Sequence, residues 1–243
     1  MMDVPYTSQE FFHFVGHSDP EADQANYETL TKVLTVGCVS HKPHEKNWGQ
    51  VGYAINWEMS LENEELIVPT VTCYADIPRQ ALGIHVRKYG KFGLSFPRDL
   101  LIQYGARPVT YLPTRNDDWR SPHGITLLRD IEAVYKAFNE HVVFKMSLPD
   151  TTTRYLGSKP GNEAEAVDAM LSVFAKDFLA FLKPFSSGLR EDHPKNFYME
   201  REWRKHGNLR FDPADVVGIV VALGYSARLE KEFPAYVGRV VEI

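Results

Sequence analysis

Tyr198-Met199-Glu200-Arg201-Glu202-Trp203-Arg204-Lys205-His206-Gly207 is the stretch from which the fold is interpreted. Read as a β-strand, it places successive side chains on opposite faces. One face then carries Tyr198, Glu200, Glu202 and Arg204, and the other carries Met199, Arg201 and Trp203. A strand with both faces in solvent would not be expected to carry the apolar side chains of Met and Trp at this spacing. We therefore expect Met199 and Trp203 to be buried in the core and the two glutamates to face a cleft.

The charges on the glutamate face have two interpretations. Two carboxylates at this distance raise each other's pKa, and a neighbouring guanidinium lowers both. Such a cluster is either an ion pair on an exposed sheet face or the acidic end of an active site. Arg204 is two residues from Glu202 and four from Glu200, so the spacing predicts that it pairs with Glu202.

Length and composition indicate a globular protein. The chain has 243 residues, of which 44% are hydrophobic and 24% are charged, and we predict one domain over residues 1–243. A formal net charge of −5 argues against broad affinity for nucleic acid. Two cysteines are too few for a disulfide framework, and neither a signal peptide nor a long apolar run is found. We expect a cytoplasmic protein without membrane contact.

Hydrophobic periodicity predicts the secondary structure. Predicted helices cover residues 27–36, 79–89, 97–105, 125–138 and 162–182, with Gly37 and Asn162 as caps of the first and last. Predicted strands cover residues 10–16, 66–74, 92–96, 108–112, 142–146, 198–207, 209–211, 216–222 and 236–241. Strands are numerous and do not alternate regularly with helices. This order predicts an α+β fold with mixed or antiparallel sheets and flanking helices.

Several kinds of site can be weighed from motifs. Cys38, His41 and His44 are spaced three apart and resemble zinc ligands, with Cys73 as a conceivable fourth. Zinc ligands usually come as two clear pairs, so we predict no metal. The chain contains no phosphate-binding glycine loop and no serine in a nucleophile elbow.

Two aromatic-rich strands hold further candidates. His13 lies among phenylalanines, which is typical of a core histidine bonded to backbone, although its ring could also face an enclosed site. Tyr74 ends an apolar strand, where packing is commoner than ligand contact.

Motif order resembles that of known proteins. A histidine on the first strand, an aromatic ending a strand and a glutamate on a late strand resemble the ADP-ribosyltransferase-like fold. A closer resemblance is carried by motifs that together span most of the chain. They are Phe12-His13-Phe14, Leu34-Thr35-Val36-Gly37, Val71-Thr72-Cys73-Tyr74-Ala75-Asp76-Ile77-Pro78, His85-Val86-Arg87-Lys88-Tyr89-Gly90-Lys91-Phe92-Gly93-Leu94, Pro108-Val109 and Glu200-Arg201-Glu202-Trp203-Arg204. In these motifs the chain resembles the abortive phage-resistance family AbiGi.

The first resemblance implies an ADP-ribosyltransferase-like enzyme that uses NAD. His13 would contact the cofactor, Tyr74 or Tyr89 would stack on nicotinamide, and His85 and Arg204 would complete the cofactor site. A glutamate would stabilise the positive charge that develops on the ribose. By analogy the choice is Glu202, with Glu200 aiding a protein or nucleic-acid acceptor. The pairing of Arg204 with Glu202 favours Glu200 instead.

The second resemblance implies a different kind of protein. The AbiGi family name also attaches to an antitoxin, which would bind and restrain a partner toxin without catalysis. That hypothesis predicts an exposed apolar patch around Trp48 to Trp57 or around Trp119. A third class is a nucleotide- or nucleic-acid-binding module.

Overall fold

The structure is a computed structural model that describes residues 8–40, 53–56, 58–59, 66–113, 123–146, 163–190, 193 and 196–243. The chain divides into two compact units. The first unit comprises Met1–Val51, Thr70–Val109 and Glu191–Ile243, and the second comprises Gly52–Pro69 and Thr110–Arg190. The prediction of a single domain stays a prediction.

Helices and strands are interspersed along the chain. The helices are α1 (Asp23–Val36), α2 (Leu82–Tyr89), α3 (Arg98–Gln103), α4 (His123–Met146), α5 (Glu163–Val173) and α6 (Ser226–Glu232). The strands are β1 (Glu10–Phe14), β2 (Cys38–Val39), β3 (Tyr53–Ile55), β4 (Ile67–Pro69), β5 (Val71–Ala75), β6 (Gly93–Pro97), β7 (Arg107–Pro108), β8 (Thr110–Pro113), β9 (Leu182–Phe185), β10 (Glu202–His206), β11 (Leu209–Arg210), β12 (Gly218–Val221) and β13 (Arg239–Glu242). The predicted α+β class is confirmed.

A seven-stranded sheet forms the centre of the first unit. Its strand order is β13-β12-β6-β1-β5-β10-β7, and all neighbours are antiparallel except β12 and β13. In the register, Phe12 stands opposite Ala75, and Ala75 stands opposite Glu202. Residues opposite each other point to the same side of a sheet. This side is the α2 face, because Leu82 of α2 packs in one cluster with Phe12 and Ala75.

The other side of the sheet faces the main core. Phe11, Tyr74 and Leu94 pack there with side chains of the covering helices. Those helical side chains are Leu30 of α1, Leu101 of α3 and Leu229 of α6. Helix α1 ends as predicted at Gly37, whose left-handed φ of 63° closes the helix.

The second unit has its own small sheets and core. Strands β3 and β4 pair antiparallel, and β8 and β9 pair parallel. Leu128 and Tyr135 of α4 pack with Leu171 of α5 and with Leu179 in the turn that follows. Among the described residues, no helix has both the length and the apolar character needed to cross a membrane.

Several predicted elements differ from the structure. Residues 142–146 continue α4 and are not a strand, because β-branched residues lower helix propensity too little to end an established helix. The predicted strands over 66–74 and 108–112 are each two strands, β4 with β5 and β7 with β8, which belong to different sheets. The predicted helix over 162–182 is shorter, since α5 ends at Val173. The C-terminal region is not all strand, since α6 precedes β13.

A further difference concerns the late strand. Tyr198–Glu200 forms a 3₁₀ turn, Arg201 adopts a left-handed φ of 44°, and only Glu202–His206 is strand. Strand alternation therefore does not apply to Glu200, and its side chain is positioned by the turn.

Candidate functional site

Glu200 is the centre of an ionic cluster at the end of α2. One of its oxygens, Oε1, accepts hydrogen bonds from Lys88 Nζ and from Tyr89 Oη. The Lys88 ammonium also lies 4.2 Å from the centre of the Phe197 ring, which is a cation–π distance. The glutamate is only 6% exposed. The free-energy cost of burying this carboxylate is offset by hydrogen bonds from a cation and a phenol of the same chain.

Glu202 and Arg204 form a second ion pair on β10. Arg204 Nε donates to Glu202 Oε1 at 2.7 Å, and both residues are buried. The predicted pairing of Arg204 with Glu202 is confirmed. Glu202 also contributes to raising the pKa of Tyr89, so the two ion pairs belong to one electrostatic cluster.

The late strand directs Trp203 toward the main core and Glu202 to the opposite face, as predicted, but the predicted burial is wrong. Glu200 and Glu202 are 6% and 5% exposed, whereas Met199 and Trp203 are only half-buried. The indole of Trp203 packs on Phe11 with ring centroids 4.7 Å apart. The acidic side chains can be buried because each has its own cationic partner. Glu202 has Arg204, as predicted, and Glu200 has Lys88, which was not predicted.

His85 lies one helical turn before Lys88 and Tyr89 and is almost completely buried. Its Nε2 has no hydrogen-bond partner among the described residues. Burial lowers the pKa of His85 to about 4, and Lys88 adds to this effect while Glu200 opposes it. The imidazole is therefore neutral at neutral pH.

Tyr89 completes the cluster. Burial and the charge of Glu200 raise the pKa of its phenol far above the ordinary value. The phenol therefore keeps its proton and donates it to Glu200 in the hydrogen bond. Its ring also stacks on His17, with centroids 5.6 Å apart.

His13 and Tyr74 lie on the main-core side of the sheet. His13 Nδ1 donates to the Cys73 carbonyl oxygen at 2.9 Å, and burial lowers the pKa of the ring. Tyr74 is 2% exposed and donates to Thr72 Oγ1 at 3.0 Å, and burial raises its pKa. This phenol presents no open ring face for stacking, and His13 has the backbone bond typical of a core histidine.

The sheet separates the residues predicted to share an NAD site. His13 and Tyr74 alternate with Phe12 and Ala75 and so point away from the α2 face, which carries Glu202 and Arg204. Glu200, His85 and Tyr89 do come together, and Lys88 and Phe197 join them. Sequence reasoning missed Lys88, although its position three residues after His85 places both on one helical face.

Metal ligation has little support in the described part of the chain. It contains no group of three or more potential ligands that could hold a metal ion. Cys38 is buried and Cys73 is exposed, while His41 and His44 lie outside the described residues. Trp48, Trp57 and Trp119 also lie outside them, so the predicted patch stays a prediction.

Fold and cluster together define an α+β protein in which the two buried glutamates, Glu200 and Glu202, are paired within the chain. Residues 58–228, more than half of the chain, match the family described as "Putative abortive phage resistance protein AbiGi, antitoxin". The chain belongs to this family, and the resemblance to AbiGi is confirmed. No curated protein and no solved structure matches the chain. The resemblance to the ADP-ribosyltransferase-like fold stays a prediction.

Proposed function

We propose that this protein is the antitoxin-type component of an abortive-infection system, which binds and restrains a protein toxin. The observation that carries this proposal is the family match over residues 58–228, which includes the ionic cluster and α2.

The state of the two glutamates supports binding rather than catalysis. A carboxylate that stabilises a developing cation acts best when its charge is not already shared. Here Glu200 is engaged by Lys88 and Tyr89, and Glu202 is engaged by Arg204. The cluster fastens α2 to the segment before β10, which is a structural task.

Co-expression tests the proposed function. Each gene adjacent to the one that encodes this chain is expressed from an inducible promoter with and without this chain, and growth is measured. We expect growth arrest by the neighbouring product alone, rescue by this chain, and co-purification of the two proteins. Equal arrest in both strains, with no co-purification, would refute the antitoxin function.

NAD glycosyl transfer is a second candidate, favoured by the convergence of Glu200, His85 and Tyr89. If the protein turns over NAD, Glu202→Gln should lower the rate by about 10²–10³. The assay is NAD consumption with protein and nucleic-acid acceptors. Undetectable turnover by the wild type would remove this candidate and leave the antitoxin function.

The substitution His13→Ala distinguishes the cofactor-binding role that the resemblance implies from the structural role that the sheet register indicates. The resemblance predicts that His13→Ala abolishes NAD binding in a fold that is otherwise intact. The sheet register predicts instead a lower melting temperature, because the bond to the Cys73 carbonyl is lost. Calorimetric titration with NAD and a thermal melt of the same variant distinguish the two.

A further inference from the structure

The segment that contains α2 is positively charged in an acidic protein. Residues 77–98 contain five Lys or Arg and no Asp or Glu, whereas the whole chain has a formal net charge of −5. The five cations are Arg79, Arg87, Lys88, Lys91 and Arg98. Such local charge asymmetry favours the association of a partner of opposite sign.

The ion pairs around α2 direct their positive ends outward. Glu10, Asp76 and Glu200 are buried carboxylates, paired with Arg79, Arg201 and Lys88 respectively. The cationic side chains are 40%, 41% and 21% exposed, against 9%, 6% and 8% for the carboxylates. Positive charge is therefore presented to solvent, while the compensating negative charge lies beneath it.

Gly83 lies at the centre of the exposed surface of this segment. The exposed residues between Arg79 and Tyr89 are Arg79, Gln80, Gly83 and Arg87, which we call the α2 outer face. A Cβ added at Gly83 would meet nothing within 4 Å. Neither packing nor a left-handed φ requires glycine here, and glycine has a lower helix propensity than alanine.

Both features fit close approach by another molecule. Gly83 leaves a shallow notch into which a backbone can fit, and Arg87, four residues later, lies on the same helical face. Within the described residues Arg87 makes no ion pair, so its five donors are available to carboxylates.

We propose that the α2 outer face docks an acidic segment of a partner protein, and this proposal rests on the antitoxin function. Arg79 and Arg87 contact carboxylates of the partner, and its backbone lies against Gly83. The overall negative charge disfavours nucleic acid as the occupant, since duplex binding depends on neutralising many phosphates.

The test uses full-length protein and the toxin that it neutralises in co-expression. Gly83→Leu should weaken toxin binding about tenfold or more by filling the notch, while leucine's higher helix propensity keeps the fold stable. Arg87→Glu should weaken binding by a similar factor and reduce its dependence on salt. Binding is measured by calorimetry or by surface immobilisation, and folding by thermal melts.

Matched controls lie on α1. Ala25→Leu places the same leucine side chain, and Lys32→Glu makes the same reversal of charge, at exposed helical positions. We expect both control variants to bind as the wild type does.

The outcomes separate the docking surface from the function. If the wild type rescues growth and both α2 variants bind as it does, the surface is wrong and the antitoxin function stands. If the wild type neither rescues growth nor binds the toxin, both proposals fall. If a random-sequence DNA duplex binds the wild type and Arg87→Glu abolishes that binding without affecting the toxin, the face is a nucleic-acid surface and the proposal is overturned.

Discussion

At the scale of the residue, Glu200 shows how the chain stabilises a buried negative charge. Its carboxylate loses its hydration on burial and instead accepts hydrogen bonds from Lys88 and Tyr89. Lys88→Met should lower the free energy of unfolding by about 1–3 kcal/mol, because a buried acceptor loses its cation. Glu200→Gln should also be destabilising, and the double variant should lose less than the sum of the two losses. Urea unfolding measures the cycle, and strict additivity would show that the two side chains are not coupled.

The buried His85 makes the stability of the protein depend on pH. Its pKa is lowered from 6.5 to about 4 in the folded protein, so the unfolded chain binds more protons between these values. The contribution of the neutral His85 to stability is therefore fully present above about pH 6.5 and is lost as the pH falls toward 4. His85→Phe keeps an aromatic ring beside Phe14 and Tyr89 and removes the titrating group. The stability difference between variant and wild type should change between about pH 7.5 and about pH 5 in favour of the variant.

The difference in stability between variant and wild type reports on His85 alone, because the groups around it are the same in both proteins. Glu200, Lys88 and Tyr89 face the imidazole in both proteins, and His13 titrates in both. A stability difference that stays constant across the pH range would contradict burial of a neutral His85.

Sequence spacing predicted some of these residue contacts and not others. The pairing of Arg204 with Glu202 follows from their separation by two residues on one strand. The partners of Glu200 do not follow, because they depend on where the strand begins and on how α2 packs against the sheet.

At the scale of the element, Arg201 sets the start of β10. It is the only described residue other than glycine with a positive φ, and its guanidinium bonds Asp76 at 3.1 Å. Arg201→Ala and Arg201→Gly both remove this ion pair, but glycine adopts the left-handed conformation without steric cost. The glycine variant should therefore be more stable than the alanine variant by about 1 kcal/mol.

The same pair of substitutions at Lys32 on α1 provides the control. There the order should reverse, with glycine less stable than alanine by about 1 kcal/mol. Denaturant unfolding of the four variants checks both signs. A glycine variant at position 201 that is less stable than its alanine counterpart would argue against the left-handed turn.

Elements with strong periodicity were predictable, whereas element ends that no glycine or proline marks were not. Helix α1 and its Gly37 cap follow from spacing and from the freedom of glycine. The turn at Tyr198–Arg201 has no glycine or proline to signal it, so the predicted strand was too long. The predicted strand over 142–146 is wrong because the prediction gave two adjacent valines more weight than the helical pattern that precedes them. In the structure the helix continues through these residues.

At the scale of the whole molecule, the chain passes four times between the two compact units. Two of these passages are nearly direct, since one residue separates β4 from β5 and one separates β7 from β8. Residues of the two units are therefore close neighbours in sequence at these points, and we expect the chain to unfold as the single predicted domain.

Core truncations test this expectation in each unit. Leu94→Ala removes a fully buried side chain of the first unit, and Leu128→Ala removes one that is 1% exposed in the second. Each should lower the free energy of unfolding by about 2–5 kcal/mol through the cavity that it leaves. Circular dichroism and tryptophan fluorescence should report one coincident transition in both variants, since coincident probes are the sign of all-or-none unfolding. A separate early transition in Leu128→Ala, with the rest of the chain still folded, would show that the second unit is a domain of its own.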